Sequence, residues 1–237
     1  MSPFASTYGL VMLAGIGVSL LLWTRLARAD ARLPAVYFSG LCGAFVGAKL
    51  AYLLAEGWQQ FGEPGMWLDW ATGKSIVGAL LGGYAGVELG KWHVGFDATT
   101  GDRFALVAPV GIVIGRVGCL VHGCCSGQAC APAWYSLPDA GGVHRWPAVP
   151  VEMAFNLGFL AVVGLVLRPR QLLPGQHFHL YLVAYGLFRL AHETLRDTPR
   201  ILGPVGGYQV LAAGMAGFGL LRFVQRRRTP RPAGSRH

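Results

Sequence analysis

The sequence predicts an all-α, polytopic membrane protein of about seven transmembrane helices. Three observations carry that prediction. The chain is 53% hydrophobic and only 13% charged, with a mean hydropathy of +0.45, too apolar for a soluble domain of its length. It holds 35 glycines, and small residues let membrane helices approach closely. Its basic residues also sort between alternate loops. We read one transmembrane domain over residues 1–224 and a basic cytoplasmic tail over 225–237. No repeat period or heptad pattern interrupts it.

The first span is Tyr8–Thr24. The preceding MSPFAST carries no basic residue, and Arg25, Arg28 and Arg32 follow the apolar stretch. A signal peptide has its positive charges in front, so this helix is expected to be retained despite the small-residue stretch LARADA. Ala35–Leu54 is the second span, with Cys42 read as a small core residue and Lys49 near its outer end. Ile76–Leu89 is the weakest: short, glycine-rich and interrupted by Glu88, expected to be tilted, broken or deeply buried. Phe104–Val121, Val149–Leu167, Phe178–Glu193 and Tyr208–Val224 complete the set.

Seven spans with the tail inside place the N-terminus outside. Thirteen basic residues then lie inside: Arg25, Arg28, Arg32, Lys91, Arg103, Arg168, Arg170 and the six arginines after Leu221. Four lie outside: Lys74, Arg145, Arg196 and Arg200. That is the positive-inside bias. The net charge of +9 comes largely from the tail beside anionic lipid, which argues against nucleic acid as a partner.

Arg116 and Arg189 stand inside apolar spans. An arginine at membrane depth costs about 2.5–3.5 kcal/mol on insertion scales, so each needs a partner or a task. Two buried guanidinium forks facing one bundle interior would hold a phospholipid phosphate. The structural alternative is ion pairing: Arg116 with Glu88 or Glu152, and Arg189 with Glu193 one turn on. Glu152 and Glu193 are placed near the outer surface, either solvated or poised between lipid and water with a raised pKa that suits a proton acceptor. Lys49 is read as snorkelling or as a contact to the headgroup.

Cys119, His122, Cys124, Cys125 and Cys130 cluster after Arg116. They lack paired zinc-ligand spacing, and adjacent Cys124 and Cys125 are expected not to meet at one tetrahedral ion. Structural thiols, a disulfide involving Cys130, or redox thiols are the preferred readings over metal. No metal and no cofactor are expected.

Five blocks and their order resemble the bacterial prolipoprotein diacylglyceryl transferase family over nearly the whole chain. Tyr8-Gly9 opens the first span. GKSIVGALLGG (Gly73–Gly83), GRVGCLVHGCCSG (Gly115–Gly127), PAVPVE (Pro147–Glu152) and YGLFRLAHETLRD (Tyr185–Asp197) follow, with Gln209 before the last span. The resemblance implies transfer of diacylglyceryl from phosphatidylglycerol to the lipobox cysteine of a prolipoprotein signal peptide. It also implies a site in the outer leaflet of a bacterial inner membrane. Arg116, Arg189, Glu152, Glu193 and His122 become the catalytic candidates. Tyr8, Lys49, Cys119, Gly123, Gly127, Tyr185 and Gln209 become the substrate-binding ones.

The chain departs from the family pattern at four places. Val77 stands where the family has a histidine that is a candidate base, and Trp146 replaces the histidine before the proline. Cys119 replaces an asparagine, and Cys124 a glutamate common in the family. His122, beside the signature arginine, is the replacement base the sequence offers. These changes leave open a sister transferase with the same lipid site and another acceptor. A membrane thiol–disulfide protein using Cys119, Cys124 and Cys125 is the non-transferase alternative.

Overall fold

The computed structural model describes residues 3–28, 30–203 and 205–228. Most of the basic tail and the side chain of Tyr8 therefore lie outside the described residues. The long helices are α1 (Pro3–Ala27), α2 (Leu33–Ala55), α4 (Ile76–His93), α5 (Gly101–His122), α6 (Ala148–Val162), α7 (His177–His192) and α8 (Gly207–Arg228), with a short α3 at Met66–Thr72. A π-helical turn, Val163–Leu167, extends α6. The strands described are two short loop hairpins, β1 (Leu137–Pro138) with β2 (His144–Arg145) and β3 (Arg200–Leu202) with β4 (Val205–Gly206).

Among the described residues, four helical stretches are long and apolar enough to cross a membrane: Leu33–Ala55, Gly101–His122, Ala148–Leu167 and Gly207–Arg227. This is an all-helical membrane protein. Its outward side chains fit that setting, since Phe38, Phe45, Leu54 and Leu165 stand exposed on helix faces where lipid would meet them.

The third expected span forms one unbroken helix. Ser75 caps α4 by accepting from the Gly78 amide. Gly78, Gly82, Gly86 and Gly90 recur every four residues, and the first three lie against Gly43 and Gly47 of α2. A methyl group at Gly47 would stand 2.7 Å from the Gly82 Cα, so only glycines permit this backbone approach. Glu88 pairs with Lys91 at 3.1 Å, not with Arg116. Cys42 is exposed on α2 rather than in the core, because the glycine face of that helix makes the α4 contact.

The central core joins α4, α5, α6, α7 and α8 through Val77, Leu80, Ala105, Phe159, Tyr181, Leu182, Tyr185 and Met215. Gly186 lets α7 lie on α8, where an added methyl would come within 2.9 Å of the Ala216 Cβ. This packing brings the C-terminal ends of α5 and α7 to the N-terminal end of α6. Every basic and acidic group of the candidate site projects from that one end.

Candidate functional site

Glu152 is the centre of the site, and it is fully buried. Of the two readings open for Glu152, the solvated one is not what the structure shows: α6 begins inside the bundle, where α5 and α7 enclose its first turn. Glu152 Oε2 lies 2.7 Å from Arg116 Nη2, 3.6 Å from Arg189 Nη1 and 3.7 Å from Arg196 Nη1. The Tyr185 hydroxyl donates to Glu152 Oε1 at 2.5 Å. Behind it, Asn156 donates to the Glu152 carbonyl and accepts from the Tyr181 hydroxyl.

Glu193 is buried as well. It pairs with Arg189 at 2.5 Å, the i,i+4 contact expected of that spacing. Thr198 donates to its other carboxylate oxygen at 2.8 Å. The ion pairs open to Arg116 and Arg189 are therefore made, yet they do not exhaust the site.

The reason is Arg196, which sequence reasoning left in an outer loop. It is 8% exposed and 3.9 Å from Glu193. Burial, followed by the neighbouring Arg189 and Arg116 cations, lowers its pKa from the ordinary guanidinium value. The signal was available in the spacing, since Arg196 follows Arg189 by seven residues, two helical turns. A short 3-10 turn, Glu193–Leu195, carries it onward from α7.

The residues around Gly127 hold Arg196 in place. The Gly127 amide donates to the Trp146 carbonyl at 3.1 Å, and the Gln128 amide to the Leu195 carbonyl at 2.9 Å. A side chain at Gly127 would come within 2.6 Å of the Trp146 Cβ, so this position has to be glycine. Trp146 donates its indole N–H to His192 Nε2 at 3.1 Å.

Three guanidinium groups face two carboxylates, a surplus of one positive charge. Nε of Arg116 and Nε and Nη1 of both Arg189 and Arg196 have no aligned hydrogen-bond acceptor among the described residues. Buried donors of this kind are costly when left unpaired. All three arginines line a cavity of about 690 Å³ whose walls are mainly apolar, running past Leu80, Phe104, Val107 and Ile112. The arrangement is a forked cationic head above a hydrophobic slot, suited to an amphiphilic anion.

The remaining expected residues fall in different places. Cys119, Cys124 and Cys125 line the same cavity. Glu152, Glu193 and Tyr185 stand behind the arginines and orient them. Lys49 donates to the carbonyls of Trp70, Ala71 and Gly73, closing the C-terminal end of α3. Gln209 accepts from the Gly206 amide at the start of α8. Gly123, with φ of 69°, ends α5 in the left-handed region. His122 is exposed at that helix end and is not among the residues lining the cavity.

The cysteines differ most from expectation. All five carry free thiols, Cys130 included. Cys124 and Cys125 were expected not to meet at one tetrahedral ion, yet their sulfurs lie 3.6 Å apart. Left-handed backbone at both Gly123 and Cys125, whose φ is 64°, turns the chain back on itself there. Among the described residues, the sulfurs of Cys119, Cys124 and Cys125 lie within 4.8 Å of one another, close enough to share one metal ion.

The profile of a family described as prolipoprotein diacylglyceryl transferase matches residues 4–225. The chain belongs to that family. The match takes in every arginine of the site and nearly the full length of all the long helices. A phosphatidylglycerol–prolipoprotein diacylglyceryl transferase of Vibrio atlanticus is 28% identical, covering 92% of this chain and 85% of the relative. Its counterpart in Vibrio parahaemolyticus is 27% identical over the same shares. That of Vibrio vulnificus strain YJ016 is 28% identical, covering 86% of this chain and 78% of its own. Prolipoprotein diacylglyceryl transferases are transferases, and this member is an enzyme of that kind.

Proposed function

We propose that this protein moves the diacylglyceryl group of phosphatidylglycerol to the lipobox cysteine thiol of a prolipoprotein. The observation that carries the proposal is the surplus positive charge of Arg116, Arg189 and Arg196 at the head of an apolar cavity. The acyl chains would occupy the slot while the arginines hold the phosphodiester through their unpaired N–H groups. As the carbon–oxygen bond breaks, charge grows on the departing glycerol phosphate. Fixed cations aimed at that charge stabilise the transition state. Glu152 has a supporting part: it offsets two of the cations' three charges together with Glu193 and keeps their forks pointed at one place.

The proposal includes seven spans, an external N-terminus, and a site toward the outer leaflet of a bacterial inner membrane. The basic bias of the opposite loops supports that orientation. The test is direct. Purified protein is incubated with phosphatidylglycerol vesicles and a lipobox peptide, and the peptide should gain the mass of a diacylglyceryl group. A peptide with serine at the acceptor position should gain nothing. Absence of any mass gain with intact, folded protein would sink the reading.

A further inference from the structure

An acceptor thiol attacks carbon only as a thiolate, so the site must remove its proton. Glu152 and Glu193 are engaged by buried arginines, and His122 is not among the residues lining the cavity. Of the other groups lining the cavity, Glu56 accepts from the Tyr208 hydroxyl, Glu88 pairs with Lys91 and His179 stands at the start of α7, away from the arginines, whereas three sulfurs line it beside Arg116. Cys119 and Cys124 are half-buried and Cys125 is exposed, so the cluster is walled by protein on one side and open on the other. We propose that Cys119, Cys124 and Cys125 form a three-thiolate site for a thiophilic metal ion of the zinc class, whose open fourth position takes the sulfur of the acceptor cysteine.

The geometry fits the ion. Zinc–sulfur bonds of about 2.3 Å in a tetrahedron separate neighbouring sulfurs by about 3.8 Å. The Cys124–Cys125 separation is 3.6 Å, and no pair in the triad exceeds 4.8 Å. Three protein ligands with a vacant fourth place is the pattern of a catalytic zinc, whereas structural zinc has four. Three soft sulfur ligands also select against magnesium and calcium. Arg116 Nη1 lies 3.8 Å from the Cys119 sulfur, so a cation offsets part of the negative charge the thiolates would bring.

The chemistry balances without an oxidant. Uptake of the ion releases the protons of the three cysteines to solvent. The acceptor thiol then loses its own proton to solvent on binding, because a metal-coordinated thiol is deprotonated outright. Its sulfur forms a bond to the glyceryl carbon, the carbon–oxygen bond to phosphate breaks, and the electron pair leaves with glycerol phosphate. The metal keeps its oxidation state throughout. The site itself stands on the sulfur geometry; only the role of its fourth position rests on the transferase reading.

The experiment uses full-length protein purified in detergent under reductant, loaded with Zn²⁺ or Co²⁺ alone. About one zinc per chain is expected by elemental analysis, and the cobalt form should show thiolate-to-metal charge transfer. Cys119→Ser, Cys124→Ser and Cys125→Ser should each weaken metal binding by roughly tenfold or more. Cys42→Ser and Cys130→Ser should retain it, and thermal melts confirm that each variant is folded. A lipobox cysteine peptide should shift the cobalt spectrum, and its serine counterpart should not. Reduced protein that takes up no zinc and gives no cobalt charge transfer overturns the site. So does unchanged binding in the triple serine variant. Full-rate transfer by metal-stripped protein overturns the role of the ion while leaving the transferase reading intact. A normal metal site with no peptide mass gain sinks the transferase reading instead.

Discussion

Replacing Arg196 by methionine separates charge balance from catalysis. The two short ion pairs, Arg116–Glu152 at 2.7 Å and Arg189–Glu193 at 2.5 Å, survive the change. Only the two long ion pairs of Arg196 disappear, to Glu152 at 3.7 Å and to Glu193 at 3.9 Å. Arg196 is also crowded by two like charges in a buried setting, which opposes its own cation. Two cations then face two carboxylates and the surplus charge is gone, while methionine refills much of the volume. Stability should move by no more than about 1 kcal/mol, a melting shift of about 2–4 °C for a chain of this size. Activity should respond far more. Loss of one preorganised donor to a developing anion costs about 2.7–4 kcal/mol, or roughly 10²–10³-fold in turnover. The assay is the rate of peptide mass gain at saturating phosphatidylglycerol, beside a detergent melt. Turnover within twofold of the parent protein, or a variant that fails to fold, would refute the surplus-charge argument.

Arg116→Ala and Arg189→Ala should each abolish transfer in protein that still inserts in membranes, and lysine should rescue poorly because a point charge cannot make a forked contact. Gly82→Ala should destabilise the α2–α4 contact by about 1–3 kcal/mol in a detergent melt, whereas Gly158→Ala, with open space around it, should change little. After removal of native thiols, an impermeant maleimide added to intact cells should label Trp134→Cys, a position 96% exposed, and miss Ser235→Cys. The reverse pattern would invert the topology. The hydrogen bond from Arg145 lowers the pKa of the Asp139 carboxyl from its ordinary value. A carboxyl lowered in the folded state contributes stability that is complete above its unfolded pKa of about 3.9 and lost as pH falls through the folded value. Limited proteolysis of the loop at residues 137–145 should therefore rise over that acid range, and Asp139→Asn should remove the dependence.

The sequence by itself determined the membrane class, the positions of the long helices and the two arginines set within apolar helices. These follow from local quantities: apolar runs, glycine content, and the penalty for a charge within hydrocarbon. The Arg189–Glu193 pair was legible too, because four residues along one helix fix a shared face. Tertiary structure alone decided which charges are buried together. Glu152 was expected near the surface, and its burial depends on how α5 and α7 enclose the first turn of α6. Arg196 follows α7 in a segment that sequence assigns to a loop, and bonds from Gly127 and Gln128 to Leu195 and Arg196 hold it at the site. The cysteine triad shows the same division. Spacing along the chain argued that Cys124 and Cys125 could not serve one ion, but two nearby residues with positive φ, Gly123 and Cys125, bring the sulfurs together. Pattern and composition report what each segment is made of. Convergence of charges and thiols depends on backbone direction and on distances between segments far apart in the chain, and those exist only once the helices pack.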